Sequence, residues 1–343
     1  MRIQFNEMKE TIRLAFIKAG MSEVKAEACA RIHTESSCDG VYSHGLNRVS
    51  KFAEYIRTGL VNSEGEPILI QQMGSIENYD GNMGPGILNA QFTMDRAIDL
   101  ASAHGMGLAT LKNTTHWMRG GSYGWQAVQK GFIGICWTNT ESCMPAWGSI
   151  SSSVGNNPFV MAVPNGDSPL VLDMAMSQYS YGKLEVTRQA GATLPYPGGY
   201  DKEGILTDNP GEIEETRRIL PMGYWKGSGF SILLDMVASL LSGGLATAGI
   251  DANNAGNCGG CSQIFMAFDP EKFGGSGFME ATLKQSIEHL HSAIPETEGG
   301  SIYYPGERTI LTRKENRELG IPVNEKVWNE VSVLAGKSRE GVL

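Results

Sequence analysis

The sequence predicts an α/β protein: a mixed sheet with a helical N-terminal domain that the C-terminal tail completes. Three observations carry the prediction. Apolar residues recur at helical spacing through most of the first 75 positions. From about residue 87 the pattern changes to helices alternating with short, β-rich apolar runs. Two of those runs, 159–163 and 170–174, have the turn-forming Pro164-Asn165-Gly166 between them, which predicts antiparallel neighbours and so a mixed sheet.

Taken in order, residues 5–19 place Phe5, Met8, Ile12, Ala15, Phe16 and Ala19 on one helical face, and Gly20 stands where a left-handed cap is needed. Ser22 is a capping residue for a second helix over 22–37, and 46–58 reads as a third, closed by Gly59. Next come a helix over 87–103, an apolar run over 107–111, a helix over 122–129 and a β-rich run over 132–138. Strands are expected over 159–163 and 170–174. Residues 189–220, with Pro195, Pro197, Gly198, Gly199 and Pro210, show no apolar period and read as a long surface excursion. A strongly apolar helix over 227–241, a strand over 264–268, a charged amphipathic helix over 280–294 and a helical tail from residue 316 complete the reading. Met174, Met176 and Met236 read as packing residues. The organisation expected is a helical N-terminal domain over 1–75 with the tail 310–343 packing on it, and an α/β domain over 76–309 that binds cofactor and substrate.

Composition narrows the function. The chain has 343 residues, 41% hydrophobic and 19% charged, enough for a large core and too apolar for disorder. A formal net charge of −9 without a basic patch argues against nucleic acid as a partner. The N-terminus lacks the apolar stretch of an export signal, and the longest apolar run, 230–241, is interrupted by Ser231, Asp235 and Ser239, so a cytoplasmic protein without membrane spans is expected. Six cysteines then read as reduced thiols. Cys258 and Cys261 have CxxC spacing, yet no second CxxC or histidine pair completes a metal site, so an incidental loop pair is the plainer reading and no metal is expected.

No G-x-G-x-x-G and no G-x-x-x-x-G-K-[ST] is present, so any dinucleotide must be held by a sheet of non-Rossmann type. Two histidines have chemically suggestive neighbours. His44 lies in Ser43-His44-Gly45-Leu46-Asn47-Arg48, where an imidazole can give a proton to a developing alkoxide and a guanidinium can pair with a carboxylate. The bland alternative is that Ser43 caps a helix, His44 is partly buried and Arg48 makes a surface pair. His116 follows an apolar run and precedes Gly120-Gly121-Ser122, whose backbone N–H groups would open a helix toward an anion; a plain glycine turn with a satisfied histidine is the alternative. Tyr224-Trp225-Lys226-Gly227-Ser228-Gly229 sets an aromatic plane and a cation at a helix start, suited to a phosphate or a nicotinamide, or simply a tight turn.

Together Ser43-His44-Gly45-x-x-Arg48, Thr115-His116, Gly155-Asn156-Asn157-Pro158, Asp173-Met174-Ala175-Met176-Ser177 and Lys226-Gly227-x-Gly229 resemble the malate/L-lactate dehydrogenase family that lacks a Rossmann fold, over nearly the whole chain. The runs GVYSHGLNR, HWMRGGSYGWQA, GICWTN, SYGKLEV and RRILPMGYWKGSG resemble one reductase branch of it. The resemblance implies a homodimer that binds NAD or NADP and passes hydride to a small anionic 2-keto acid, with His44 as proton donor. Ser43 would orient His44, while Arg48 and His116 would hold the carboxylate or polarise the carbonyl. Cofactor contacts would fall at Pro169, Leu170, Val171, Leu172, Asp173, Met174 and Ala175, at Trp225 and Lys226, and at Gly306, Glu307 and Arg308. The chain departs from the family in having Asn156 where Thr is frequent and in carrying the Cys258–Cys261 pair. Two other classes stay open at this point: a thiol–disulfide protein acting through that pair, and a non-catalytic dinucleotide-binding protein.

Overall fold

The computed structural model describes residues 1–253 and 259–337. The N-terminal part runs β1 (Arg2–Ile3), α1 (Phe5–Ala19), α2 (Glu23–Cys38), two short 3-10 turns over Tyr42–His44 and Leu46–Arg48, and α3 (Val49–Arg57). The central part follows as β2 (Ile68–Met73), β3 (Ile76–Asp80), α4 (Gly86–His104), β4 (Met106–Thr114), α5 (Gly121–Gln129), β5 (Ile133–Thr138), β6 (Met144–Pro145), β7 (Ser152–Val154), β8 (Phe159–Val163) and β9 (Leu170–Met174). Then come α6 (Tyr181–Gln189), β10 (Gly199–Tyr200), β11 (Leu206–Thr207), α7 (Pro210–Thr216), α8 (Trp225–Ser242), α9 (Thr247–Ala252), β12 (Cys261–Phe268), α10 (Ser276–His291), α11 (Glu307–Leu319), β13 (Ile321–Pro322) and α12 (Glu325–Leu334).

The α/β class and the mixed sheet are as the sequence predicts. Seven strands lie in the order β2-β3-β4-β12-β5-β8-β9. Only β3 and β4 are parallel, joined through α4; every other neighbouring pair is antiparallel. Strand alternation gives the sheet two apolar faces. Phe265 and Ala267 of β12 and Cys136 of β5 pack with Met94 and Ala97 of α4 and Tyr123 of α5. Ile264 of β12 and Trp137 of β5 turn the other way, onto Leu234 and Ala238 of α8. A third core joins α1, α2 and α3 to the end of the chain: Trp328 and Val331 of α12 pack with Met8, Phe16 and Phe52. β1 pairs with β13, Ile3 opposite Ile321, so the first and last strands close one layer. Truncating a buried aromatic such as Trp328 typically costs about 3–5 kcal/mol.

Four expectations need correction. The first 75 residues are not all helical, because β2 is an edge strand whose six residues are all exposed. Residues 189–220 are not a bare surface excursion: Pro210 occupies the first turn of α7, where its missing N–H is harmless, and Leu194, Ile213, Ile219 and Leu220 are buried. The 280–294 helix is α10, and none of its residues is buried. Met176 is fully buried as expected, but Met236 is about half exposed, with Leu233, Val237, Leu240 and Leu241 exposed beside it on α8. Cys261 is buried at the start of β12, whereas Cys258 lies outside the described residues. No helix among the described residues is long and apolar enough to cross a membrane.

Candidate active site

Position 44 is fixed from below by α2. The turn Tyr42–His44 is joined to Leu46–Arg48 by Gly45, where any Cβ would overlap the Ser37 hydroxyl and crowd the His33 carbonyl of α2. The Ser37 hydroxyl also accepts the Leu46 N–H at 2.8 Å. With the turn held there, Ser43 does not cap a helix; its Oγ hydrogen-bonds His44 Nδ1 at 2.9 Å. Gly182 of α6 closes over this pair, since a Cβ there would stand 2.7 Å from Ser43 Cβ.

His116 arrives from the end of β4. Thr115 anchors the segment by donating to the Gly84 carbonyl and accepting the Gly86 N–H, both at 2.9 Å. Met118, in the left-handed region at φ 64°, donates its backbone N–H to His116 Nδ1 at 2.9 Å. That bond assigns the proton of the neutral ring to Nε2. The two imidazoles stack with centroids 5.9 Å apart and planes 21° from parallel.

Both rings are held neutral. Burial, reinforced by the charges of Arg48, Arg119 and His33, holds His44 down at about 4. Burial, then Arg48 and His44, push His116 well below the ordinary imidazole range. Arg48 therefore acts on both rings at once. Three of the four residues expected at the reaction centre share one cluster, and the fourth, Arg48, imposes its field on it.

The expected cofactor segment is β9, the last strand of the sheet. Near its start Val171 donates to the Pro305 carbonyl at 2.8 Å, and Gly306, at φ 96°, packs so closely that a Cβ would lie 2.9 Å from Val171 N. Glu307 opens α11 and accepts the Tyr304 N–H at 3.1 Å, while the Arg308 guanidinium lies 4.6 Å from the Tyr303 ring centre. Among the described residues no further strand pairs with β9 beyond β8, and Asp173 is exposed. Trp225 and Lys226 are exposed at the start of α8, which Gly227 seats against the Met176 carbonyl just past β9. The structure thus brings the 169–175 segment against 306, and the start of α8 beside its far end.

One expectation is reversed. The helix start at Gly120-Gly121-Ser122 is not open to an external anion, because the Asp173 carboxylate accepts the Gly121 N–H at 2.8 Å. Arg119 lies 3.9 Å from the same carboxylate and bonds Asp39 at 2.5 Å, and Arg313 bonds Asp39 at 2.6 and 2.8 Å. Asp39 carries no motif, and Gly182, although within the run SYGKLEV, has no chemistry of its own to mark it as a site residue. Their signal is spatial: a buried carboxylate shared by two arginines, and a glycine pressed on a serine.

Comparison with known proteins agrees with the geometry. A sequence model described as malate/L-lactate dehydrogenase matches residues 3–332. The chain is 45% identical to the 2,3-diketo-L-gulonate reductase of Citrobacter koseri over 335 residues, 97% of this chain and 100% of the relative. It is 44% identical to the Escherichia coli K12 protein of the same name over 334 residues, again 97% and 100%. Among solved structures, malate dehydrogenase from Pyrococcus horikoshii OT3 superposes with a TM-score of 0.89 at 28% identity, covering 98% of this chain and 96% of that one. Malate dehydrogenase from Entamoeba histolytica shares the fold, with a TM-score of 0.93 at 24% identity over 98% and 97% of the two chains. Matched over nearly its whole length in both sequence and fold, the chain belongs to the malate/L-lactate dehydrogenase family of oxidoreductases.

Proposed function

We propose that the protein reduces 2,3-diketo-L-gulonate to 3-dehydro-L-gulonate with NADH or NADPH. Full-length identity of 45% to a reductase of that name carries the substrate, and the paired imidazoles under the field of Arg48 carry the chemistry. The residues fit a nicotinamide nucleotide: the free outer edge of β9 offers backbone groups, and exposed Trp225 and Lys226 offer an aromatic plane and a cation at one end. Pro169 to Ala175, Trp225, Lys226, Gly306, Glu307 and Arg308 would hold it, and when bound it supplies the hydride.

Arg48 pairs with the substrate carboxylate. His116, protonated at Nε2 because Nδ1 is taken by Met118, donates to the C2 carbonyl oxygen and draws charge onto it. His44 then gives a proton to that oxygen as the carbonyl becomes an alcohol, with Ser43 fixing its Nδ1. The carboxylate also cancels part of the Arg48 field, so the proton affinity of His44 rises when substrate is present. Asp173, held by Gly121 and Arg119, would keep β9 fixed against the start of α5. A panel comparing kcat/KM for 2,3-diketo-L-gulonate, pyruvate, oxaloacetate and the ureidoglycolate couple, with each cofactor, tests the reading. Highest kcat/KM for the diketo acid supports it; a preference for oxaloacetate or pyruvate replaces it with a malate or lactate dehydrogenase.

The same proposal includes a homodimer. On α8, Phe230, Leu233, Met236, Val237, Leu240 and Leu241 are exposed, and the Asn78 amide bonds the carbonyls at 241 and 242, which sets the end of α8 on β3, next to the exposed edge strand β2. A second copy covering both would remove an apolar patch and a bare strand edge together. We place the division between a helical N-terminal domain and the α/β domain near residue 75, and the protein in the cytoplasm, where its buried thiols at Cys29, Cys38, Cys136 and Cys261 would stay reduced.

A further inference from the structure

Away from the paired histidines, a cavity of about 330 Å³ lies between α2, α4, α5 and α11. Its wall carries five cationic side chains, Arg31, Arg119, Lys130, Arg313 and Arg317, against three acidic ones, an excess of positive charge in a chain whose net charge is −9. Arg119 is its buried floor, only 5% exposed. Arg119 and Arg313 share the single carboxylate of Asp39. Among the described residues Arg119 Nε has no hydrogen-bond partner, and it lies 3.9 Å from the Asp173 carboxylate. A buried guanidinium N–H without an acceptor is costly, and such orphans in native proteins usually mark a missing partner.

We infer that this cavity is a binding site for a small multivalent oxyanion, of the size and charge of pyrophosphate or a tricarboxylate. Planar guanidinium forks pair bidentately with such groups, and the lining contributes several of them. The guanidinium groups of Arg31, Arg313 and Arg317 reach solvent and would meet the ligand first, with Arg119 buried behind them. Because Arg119 also stands beside Asp173 of β9, an anion that engages it alters the strand proposed above to hold the nicotinamide nucleotide. This coupling rests on that proposed role; the site itself does not.

Calorimetric titration of the full-length protein with pyrophosphate and with citrate, at constant ionic strength and without nucleotide, tests the site. One anion bound per chain with Kd tighter than about 1 mM is expected for at least one of the two. Arg31→Glu, which reverses one charge on the wall, should weaken it about tenfold, and Asp95→Asn, which removes a negative charge, should tighten it. Absence of saturable heat with both anions, or indifference to both substitutions, overturns the site. Competition between NADH and the anion also overturns it, since the cavity would then be part of the nucleotide site. Anion binding without any change in NADH affinity sinks the coupling alone. If NADH fails to bind at all, the reading of β9 falls while the calorimetric result on the anion stands.

Discussion

Replacing Arg48 tests how the site sets its own proton supply. In the free protein His44 sits at about 4, with burial the first cause and Arg48 the second. At pH 7 only about one ring in a thousand then carries the proton that ketone reduction consumes. The sign follows: the folded value is lowered, the acidic form is the active one, and kcat/KM for reduction should fall about tenfold for each pH unit between 5 and 8. In Arg48→Gln the guanidinium field is gone, and a neighbouring charge contributes about 1 kcal/mol, so the profile should move upward by roughly one pH unit. The same change removes the partner of the substrate carboxylate, and a charge-assisted hydrogen bond of about 1.5–3 kcal/mol raises KM by about one to two orders of magnitude. The variant should thus be worse at binding keto acid and better protonated at neutral pH. Loss of reduced-nicotinamide absorbance, followed from pH 5 to 8 at fixed ionic strength, reads both. A flat wild-type profile, or an Arg48→Gln profile that keeps its position while KM stays unchanged, would refute the reasoning.

Other consequences follow from the packing. His33 is fully buried between Phe16 and Phe52, and burial holds it down at about 4. Its folded value is lower than its unfolded one, so stability should be lost as pH falls from about 6.5 through about 4, by up to about 3 kcal/mol; urea melts across that window should show a slope smaller by about that amount in His33→Phe, with the buried His44 and His116 supplying what remains. Asp39→Asn leaves the buried Arg119 and the half-buried Arg313 without their carboxylate and should cost about 3–5 kcal/mol, measured as a lower urea midpoint. Gly182→Val forces a Cβ within 2.7 Å of Ser43 Cβ, so it should lower kcat by about tenfold or more while the thermal midpoint moves little; unchanged kcat would show that Ser43 does not position His44.

Much of this was readable from local pattern. The β8–β9 hairpin announces itself because Pro164-Asn165-Gly166 acts within a few residues of both strands. Ser43 and His44 are adjacent, so their hydrogen bond needs only a turn. The family resemblance, carried by short motifs spread along the chain, led to the same family that the comparisons show. What escaped was long-range or unpatterned. Arg313 meets Asp39 across 274 positions, and nothing near either residue signals the meeting. β2 has consecutive Ile68, Leu69 and Ile70 with every residue exposed, so it lacks the alternation that marks a half-buried strand. Residues 189–220 read as loop because prolines count as breakers until one sits at a helix start, as Pro210 does in α7. The helix dipole at Gly121 suggested a ligand anion, but the chain fills it with its own Asp173.

Turnover by a His44→Gln variant, measured beside its affinity for NADH, tests the proton donor at position 44 most directly. We expect kcat for keto-acid reduction to fall by about two to four orders of magnitude, with the Kd for NADH within about twofold of wild type. Wild-type turnover in that variant, or loss of NADH binding equal to the loss of rate, would contradict a proton-donating imidazole at position 44.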